Sequence, residues 1–201
     1  MTGVQTFALP IWHNTDARGF SRAIREEFRM PLSEMKVLVL GAGGTGRAIA
    51  FQAARERAER IVLANRTVAR AEALARDIAP MYLDEKLEGQ AARLRALPLE
   101  GVALAGEMEG VDLIVNATSL GMRPGDASPL PAHLLRPHHL VYDTIYGPPR
   151  TPLLEAALEA GARGAGGLSM LLHQGALSLE IWLGRPAPVD AMRRALRGAV
   201  A

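Results

Sequence analysis

The sequence contains no cysteine, which excludes disulfide bonds and thiol chemistry. It also lacks any apolar run close to the roughly 20 residues that a membrane-spanning helix needs. The amino terminus has no basic start followed by an apolar stretch, so we expect no secretory signal. Together these absences favour a cytoplasmic protein with no membrane partner.

Lysine and aromatic residues are scarce. The chain has two lysines, Lys36 and Lys86, and Phe, Trp and Tyr together make up 4% of its residues. The formal net charge is +2, and the arginines are scattered among acidic residues. Because no basic stripe is interleaved with aromatic residues, we expect no nucleic-acid partner. His173 has no second ligand at metal-binding spacing, so we expect no metal site either.

Short apolar runs alternate with helical patterns along the chain. The strand-like runs are residues 36–40, 60–65, 111–117 and 140–146, with a short candidate strand at 102–104. The helical patterns are residues 16–29, 47–57, 67–79, 151–161, 167–184 and 188–199. This alternation predicts an α/β fold of the Rossmann type, a doubly wound parallel sheet with flanking helices and C-terminal helices. Ligands of such sheets bind at the carboxyl ends of the strands, here residues 41–46, 65–70, 116–122 and 143–147.

The glycine-rich segment GAGGTG, residues 41–46, directly follows an apolar strand and opens a helix. In that context the G-x-G-x-x-G pattern predicts a dinucleotide site, because glycines let the backbone approach a pyrophosphate at a helix N-terminus. The alternative is a tight turn that binds nothing.

The end of the second strand decides which dinucleotide is expected. An NAD site has an acidic residue there to hold the ribose 2′-hydroxyl, whereas this chain has Asn65, Arg66 and Thr67, with Arg70 one turn later. Arginine forms charge-assisted hydrogen bonds with a 2′-phosphate, so the pattern predicts NADP. The alternatives are that Arg66 is a surface residue and that Thr67 only caps the next helix.

Several further segments resemble the shikimate dehydrogenase family. They are GAGGTGRA, ANRTVAR, NATSLGM, YDTIYGPPRTPLL and GGLSMLLHQGA, in the family's order and spacing, and NTDARG (14–19) is similar to its NTD-x-x-G motif. The resemblance runs from about Asn14 to near the C-terminus. It implies an oxidoreductase that reduces 3-dehydroshikimate to shikimate with NADPH, in the biosynthesis of chorismate and the aromatic amino acids.

The resemblance also implies roles for individual residues. Asp16 matches the catalytic aspartate, which works as a pair with a lysine, and Asp16, Tyr146 and Gln174 match substrate-binding residues. The cofactor-binding positions are Gly41, Ala42, Gly43, Gly44, Thr45, Asn65, Arg66, Thr67, Arg70, Asn116, Ala117, Thr118, Ser119, Thr144 and Gly167. Thr144 stands where the family usually has an apolar residue. The simpler alternatives are that Asp16 caps a helix, that Gln174 is a solvated helix residue and that Tyr146 is a packed aromatic at a strand end.

The family's catalytic lysine lies in an N-terminal substrate domain, well upstream of the NTD motif. Neither Lys36 nor Lys86 matches that position, so we expect a truncated or rearranged form with retained NADP binding and little activity alone. The expected division is an unrelated or remnant segment (1–13), a hinge helix (14–34), an NADP-binding domain (35–166) and C-terminal helices packing back toward the hinge (167–201). Loss of the substrate domain would expose the apolar face of the 16–29 helix, which makes a homodimer an expectation.

Several alternatives stay open. A quinate or shikimate/quinate dehydrogenase is the nearest, since the substrate domain would have discriminated between the two. Glutamyl-tRNA reductases and methylene-tetrahydrofolate dehydrogenases have similar cofactor domains, but are not expected to contain the segments that begin at Tyr142 and Gly166. A non-catalytic NADP-binding module is an alternative from another functional class.

Overall fold

The structure is a computed structural model that describes residues 13–83, 90–147 and 150–199. Its strands are β1 Lys36–Leu40, β2 Arg60–Asn65, β3 Leu94–Pro98, β4 Leu113–Asn116, β5 Leu140–Asp143 and β6 Arg163–Gly166. Its helices are α1 Thr15–Phe28, α2 Gly44–Arg55, α3 Val68–Tyr82, α4 Val102–Glu107, α5 Pro152–Glu159, α6 Leu168–Leu183 and α7 Val189–Ala199. Most of the expected segment 1–13, and Lys86, lie outside the described residues.

All six strands are parallel and form one sheet in the order β3-β2-β1-β4-β5-β6. The chain builds one half outward from β1 to β3 and the other from β4 to β6, so the strand order reverses between β1 and β4. Ligands of doubly wound sheets bind at such a reversal, beyond the carboxyl ends of the strands. The expected fold class is thereby confirmed.

The central strands are buried on both faces, which explains their continuous apolar runs. In β1, Val37 and Val39 pack into the cluster that contains α1, α2 and α3, whereas Leu38 and Leu40 pack into the cluster of α4 and α5. All four side chains are fully buried. Successive side chains of a strand point to opposite faces of the sheet, so the single run KVLVL contributes to the apolar core on both faces.

Two edge strands were not expected from the sequence, and one expected strand is wrong. β3 and β6 lie at the sheet edges and are only partly buried, so neither needs the apolar run that marks the central strands. Residues 102–104 belong to α4 instead. There Val102 is 90% exposed and Leu104 is only 1% exposed, so their side chains lie on opposite sides of the element. Residues at i and i+2 lie on opposite sides of a helix, whereas in a strand they would lie on the same face.

Helix α1 packs along α6 and against the sheet. Its apolar residues Phe20, Ile24 and Phe28 are at most 3% exposed, so each contributes roughly 1.5–3 kcal/mol of burial. The expectation that this face would be exposed is therefore wrong: α6 and the β5 residue Tyr142 cover it, with both Phe rings edge-on to that tyrosine. Across the described ranges, no helix has the length and apolar character of a membrane span.

Candidate dinucleotide and substrate site

Two adjoining clefts open at the carboxyl edge of the sheet. The first, the glycine-turn cleft, has a volume of about 300 Å³ and is lined by the ends of β1, β2 and β4. The second, the α1–α6 cleft, has a volume of about 180 Å³ and lies between α1, α6 and the end of β5. Between them they are lined by nearly all of the residues expected at the site, Asn116 and Gly44 excepted.

The glycine turn is shaped by close contacts at its first and last glycines. Gly41 has φ of +103°, and a Cβ there would lie 2.8 Å from the carbonyl oxygen of Ala117. A Cβ on Gly46 would lie 2.0 Å from the carbonyl oxygen of Gly41, so α2 can meet β1 only through a glycine. Gly43 and Gly44 instead face open space, with nothing within 4 Å of an added Cβ. That open cradle at the start of α2 fits the pyrophosphate of a dinucleotide.

The end of β2 presents a cationic edge to the glycine-turn cleft. The side chain of Asn65 accepts a hydrogen bond from the Ala42 amide at 3.1 Å and donates one to the Thr67 carbonyl oxygen at 2.8 Å, which ties this edge to the glycine turn. Arg66 and Arg70 are exposed and make no ion pair within the described residues. Thr67 stands at the N-cap position of α3, yet its side chain makes no capping hydrogen bond. These side chains are therefore free to receive a 2′-phosphate.

The end of β4 supplies the opposite wall of that cleft through Ala117, Thr118 and Ser119. The loop is held by Asn116, whose side-chain oxygen accepts hydrogen bonds from the Thr118 amide at 3.0 Å and the Thr118 hydroxyl at 2.7 Å. Asn116 itself is fully buried beneath the loop. Asn116 therefore supports the loop that lines the cleft and does not line the cleft itself.

The α1–α6 cleft brings Asp16 and Gln174 together from sequence positions that are far apart. The contact that sets their spacing is at Gly19, where a Cβ would lie 2.9 Å from the backbone nitrogen of Gln174. Only glycine allows the two helices to approach so closely. Tyr146, 53% exposed, lines the mouth of the same cleft.

Asp16 does not cap α1. The N-cap is Asn14, whose side-chain oxygen accepts from the Asp16 amide at 2.9 Å. The Asp16 carboxylate makes no hydrogen bond or ion pair within the described residues, and it faces the cleft that Gln174 also lines. The capping alternative is therefore wrong, and the carboxylate is available for a ligand.

Thr144 and Gly167 line the α1–α6 cleft at the end of β5 and the start of α6. The Thr144 amide donates to the Asn116 carbonyl oxygen at 3.1 Å, and a Cβ on Gly167 would lie 2.2 Å from the Thr144 carbonyl oxygen. Glycine is therefore required at 167 for α6 to begin beside β5. Thr45, from the glycine turn, completes this part of the cleft.

No lysine of the described residues lies beside Asp16. Lys36 begins β1, and its amide donates to Asp112 at the amino edge of the sheet. The length of β1 separates it from the carboxyl edge by about 13 Å, given the rise per residue of a strand. Where the chain is described, no group of three or more His, Asp or Glu side chains is placed to hold a metal ion.

Sequence reasoning missed two buried residues that support the site, Asp143 and Thr151. The Asp143 carboxylate accepts hydrogen bonds from the Asn116 side chain at 3.0 Å, the Ile145 amide at 3.1 Å and the Thr151 hydroxyl at 2.6 Å. Burial raises the pKa of Asp143 above its ordinary value, and the three hydrogen bonds partly offset that rise. An acidic residue at the end of an apolar strand, LVYD, was the available signal.

The chain matches two family sequence models. Residues 23–99 match shikimate / quinate 5-dehydrogenase, and residues 167–197 match the shikimate 5'-dehydrogenase C-terminal domain. The chain is 44% identical over 185 residues to the shikimate dehydrogenase (NADP(+)) of Methanopyrus kandleri, a match that covers 91% of this chain and 61% of that protein.

Two solved structures are similar over most of the chain. Shikimate 5-dehydrogenase from Thermus thermophilus, in complex with NADP(H) and shikimate, has a TM-score of 0.76 at 37% identity, covering 92% of this chain and 62% of that one. Quinate dehydrogenase from Corynebacterium glutamicum, in complex with NAD, has a TM-score of 0.79 at 27% identity, with 92% and 62% covered. The chain therefore spans less than two thirds of the length of each of these relatives.

Proposed function

Because this chain belongs to the shikimate dehydrogenase family, we propose that it binds NADP and supplies the cofactor side of the interconversion of 3-dehydroshikimate and shikimate. The observation that carries the proposal is the pair of clefts at the carboxyl edge of the sheet. The glycine-turn cleft has Arg66 and Arg70, which make no ion pair within the described residues, at the edge where a 2′-phosphate would bind. The α1–α6 cleft has the Asp16 carboxylate, which makes no hydrogen bond or ion pair within the described residues, together with the Gln174 amide.

The cofactor specificity rests on the end of β2. Arg66 and Arg70 offer planar guanidinium groups, and Thr67 offers a hydroxyl that capping does not use. An acidic residue, which would repel a 2′-phosphate, is absent from this edge. We therefore propose NADP rather than NAD, although the quinate dehydrogenase of similar structure was solved with NAD.

NADPH, when bound, supplies the hydride that reduces the ring ketone. In this proposal the side chains of this chain contact the oxygen of that ketone and the hydroxyl groups of the substrate. We propose that Gln174 and Tyr146 hydrogen-bond substrate hydroxyls and that Asp16 holds or exchanges a proton at the reacting oxygen, since all three line the α1–α6 cleft. In this proposal α1 is the hinge helix that carries Asp16. Helix α6 packs on it, and α7 packs on α6 and is joined to α1 by the ion pair of Arg193 with Glu26.

We propose weak turnover for these 201 residues by themselves. The described part supplies a carboxylate for proton transfer but no ammonium group beside it, and loss of a proton donor costs roughly 10²–10⁴-fold in rate. The same observation favours a second candidate, a non-catalytic NADP-binding module. A module that only binds NADP does not require Asp16, Tyr146 and Gln174 in one cleft. We therefore prefer the proposal that the chain is the cofactor-binding part of a dehydrogenase.

The test combines ligand binding with turnover. Shikimate and quinate are titrated separately into the NADP⁺-loaded chain by ligand-observed NMR, and NADP⁺ reduction is followed by absorbance. We expect shikimate to bind weakly and Asp16→Asn to reduce its binding while the affinity for NADPH stays within about twofold. Preference for quinate would identify the quinate activity instead. No binding of either ligand, with intact NADPH binding, would support the non-catalytic module.

A homodimer is a further proposal, on different grounds from those of the sequence. The end of α6 exposes Ile181, Trp182 and Leu183, with Trp182 78% exposed. Exposed apolar side chains favour association. Sedimentation of the chain over a range of concentrations tests this, and a monomer at every concentration would contradict it.

A further inference from the structure

A buried hydrogen-bond network lies directly beneath both clefts. Its centre is the Asp143 carboxylate, which joins Asn116 at the end of β4, Ile145 beyond β5 and Thr151 at the N-cap of α5. Asp143 and Asn116 are fully buried, and Thr151 is 1% exposed. None of the three hydrogen-bonding side chains lines either cleft, so the network can affect a ligand only through the segments that it holds.

The network determines which way the Asn116 amide points. An ionised carboxylate can only accept hydrogen bonds, so Asp143 requires the NH₂ group of Asn116 on its side. The loop requires the same orientation, because the Thr118 amide can only donate to the Asn116 oxygen and the Leu120 carbonyl oxygen, 3.1 Å away, can only accept from its NH₂ group. With the amide fixed, both ends of the 117–120 wall of the glycine-turn cleft are fixed.

The same carboxylate holds the floor of the α1–α6 cleft. Its hydrogen bond from the Ile145 amide lies between Thr144 and Tyr146, which both line that cleft. Because one side chain anchors a wall of each cleft, the distance between the two walls depends on Asp143. A dinucleotide that spans both clefts would contact both walls.

Asp143 has no ion-pair partner within the described residues, and the three hydrogen bonds satisfy its buried carboxylate instead. The opposite end of the same strand is joined to its surroundings by a neutral group. There His139, fully buried, bonds the Met108 carbonyl oxygen at 2.9 Å and the Arg136 amide at 3.0 Å.

We propose that Asp143 is a positioning residue for the cofactor, which acts by joining the Asn116 side chain and the Ile145 backbone to one carboxylate and thereby holds the two walls that meet a bound dinucleotide. This inference rests on the proposed function, since it assumes that NADP occupies the two clefts. Thr151 is part of the same device, because its hydroxyl donates to Asp143 and also accepts from the Leu154 amide at 3.3 Å.

The test measures NADPH affinity by fluorescence titration and thermal stability in parallel. Asp143→Ala leaves the donors of Asn116, Ile145 and Thr151 without an acceptor, and we expect NADPH to bind about tenfold more weakly. Asp143→Asn can still accept from Asn116 and Ile145, so its affinity should stay within about threefold. The matched control, His139→Ala, removes a buried polar group at the far end of β5 and should change affinity by less than about twofold.

Thr151→Val and Thr151→Ser provide a second, milder pair should Asp143→Ala fail to fold. We expect weaker NADPH binding in the valine variant and recovery in the serine variant, which retains the hydroxyl. If Asp143→Ala or Thr151→Val binds NADPH no more weakly than His139→Ala at comparable stability, the positioning role is wrong and the proposed function stands. If the unaltered chain shows no saturable NADPH binding, the proposed function and this inference are both wrong.

Discussion

Replacing Arg66 by alanine should reduce the affinity for NADPH far more than the affinity for NADH. Arg66 lines the glycine-turn cleft beside Thr67 and Arg70, and it makes no ion pair within the described residues. Nothing in the described part of the folded chain therefore depends on its charge, and the substitution removes a ligand contact rather than a structural one. NADH lacks the 2′-phosphate and should be nearly insensitive to the change.

The magnitude follows from the exposure of this side chain. A hydrogen bond to a charged group contributes about 1.5–3 kcal/mol, and solvent screening at an exposed site favours the lower end of that range. About 1.5 kcal/mol corresponds to roughly a tenfold loss of NADPH affinity. The loss should shrink as salt is raised, because the Debye length falls from about 10 Å at 0.1 M to about 3 Å at 1 M.

The assay is a fluorescence titration of NADPH and NADH against each variant at two salt concentrations. Arg76→Ala is the matched control, because Arg76 is also exposed, on the helix α3 that follows Arg66, and it lies outside the cleft. It removes the same charge without removing a contact to the ligand. Equal losses for NADPH and NADH in Arg66→Ala, or equal NADPH losses in both variants, would show that Arg66 does not contact the 2′-phosphate.

The remaining predictions concern folding. Gly46→Ala should lower the melting temperature strongly, because its Cβ would lie 2.0 Å from the Gly41 carbonyl oxygen, whereas Gly43→Ala should leave it nearly unchanged, with open space at that position. Similar melting temperatures for the two would contradict this. Glu26 should stabilise the chain at neutral pH, because hydrogen bonding from Arg193 lowers its pKa more than burial raises it. Its contribution is present above the ordinary value of 4.5 and is lost as pH falls through the lowered pKa, so denaturant melts should show the gap between wild type and Glu26→Gln closing in acid. A gap that is the same at all pH values would argue against the ion pair.

The sequence was sufficient for the central strands and for most of the residues that line the clefts. Runs such as KVLVL and VDLIV mark strands buried on both faces, and glycines at fixed spacing mark backbone contacts that no other residue allows. It was insufficient for β3 and β6, because an edge strand with one solvated side has no such run. The sequence was misleading at 102–104, because these three apolar residues begin helix α4 and the first of them, Val102, is exposed.

Asp143 shows why a supporting residue is harder to predict than a contacting one. Its role depends on three donors from different segments, and only the fold brings Asn116 and Thr151 to the same carboxylate. Gly19 is a similar case. It is the last residue of the segment NTDARG, and that segment alone does not predict its close approach to Gln174. Residues that touch a ligand recur in recognisable patterns, whereas residues that hold them are defined by packing.

The central claim is that NADP binds where the glycine turn meets the end of β2. Calorimetric titration of NADP⁺ and NAD⁺ into the unaltered chain tests it most directly. We expect saturable binding of one NADP⁺ per chain, with NAD⁺ bound at least about tenfold more weakly because it lacks the 2′-phosphate. Absence of saturable NADP⁺ binding, or equal affinity for the two dinucleotides, would contradict it.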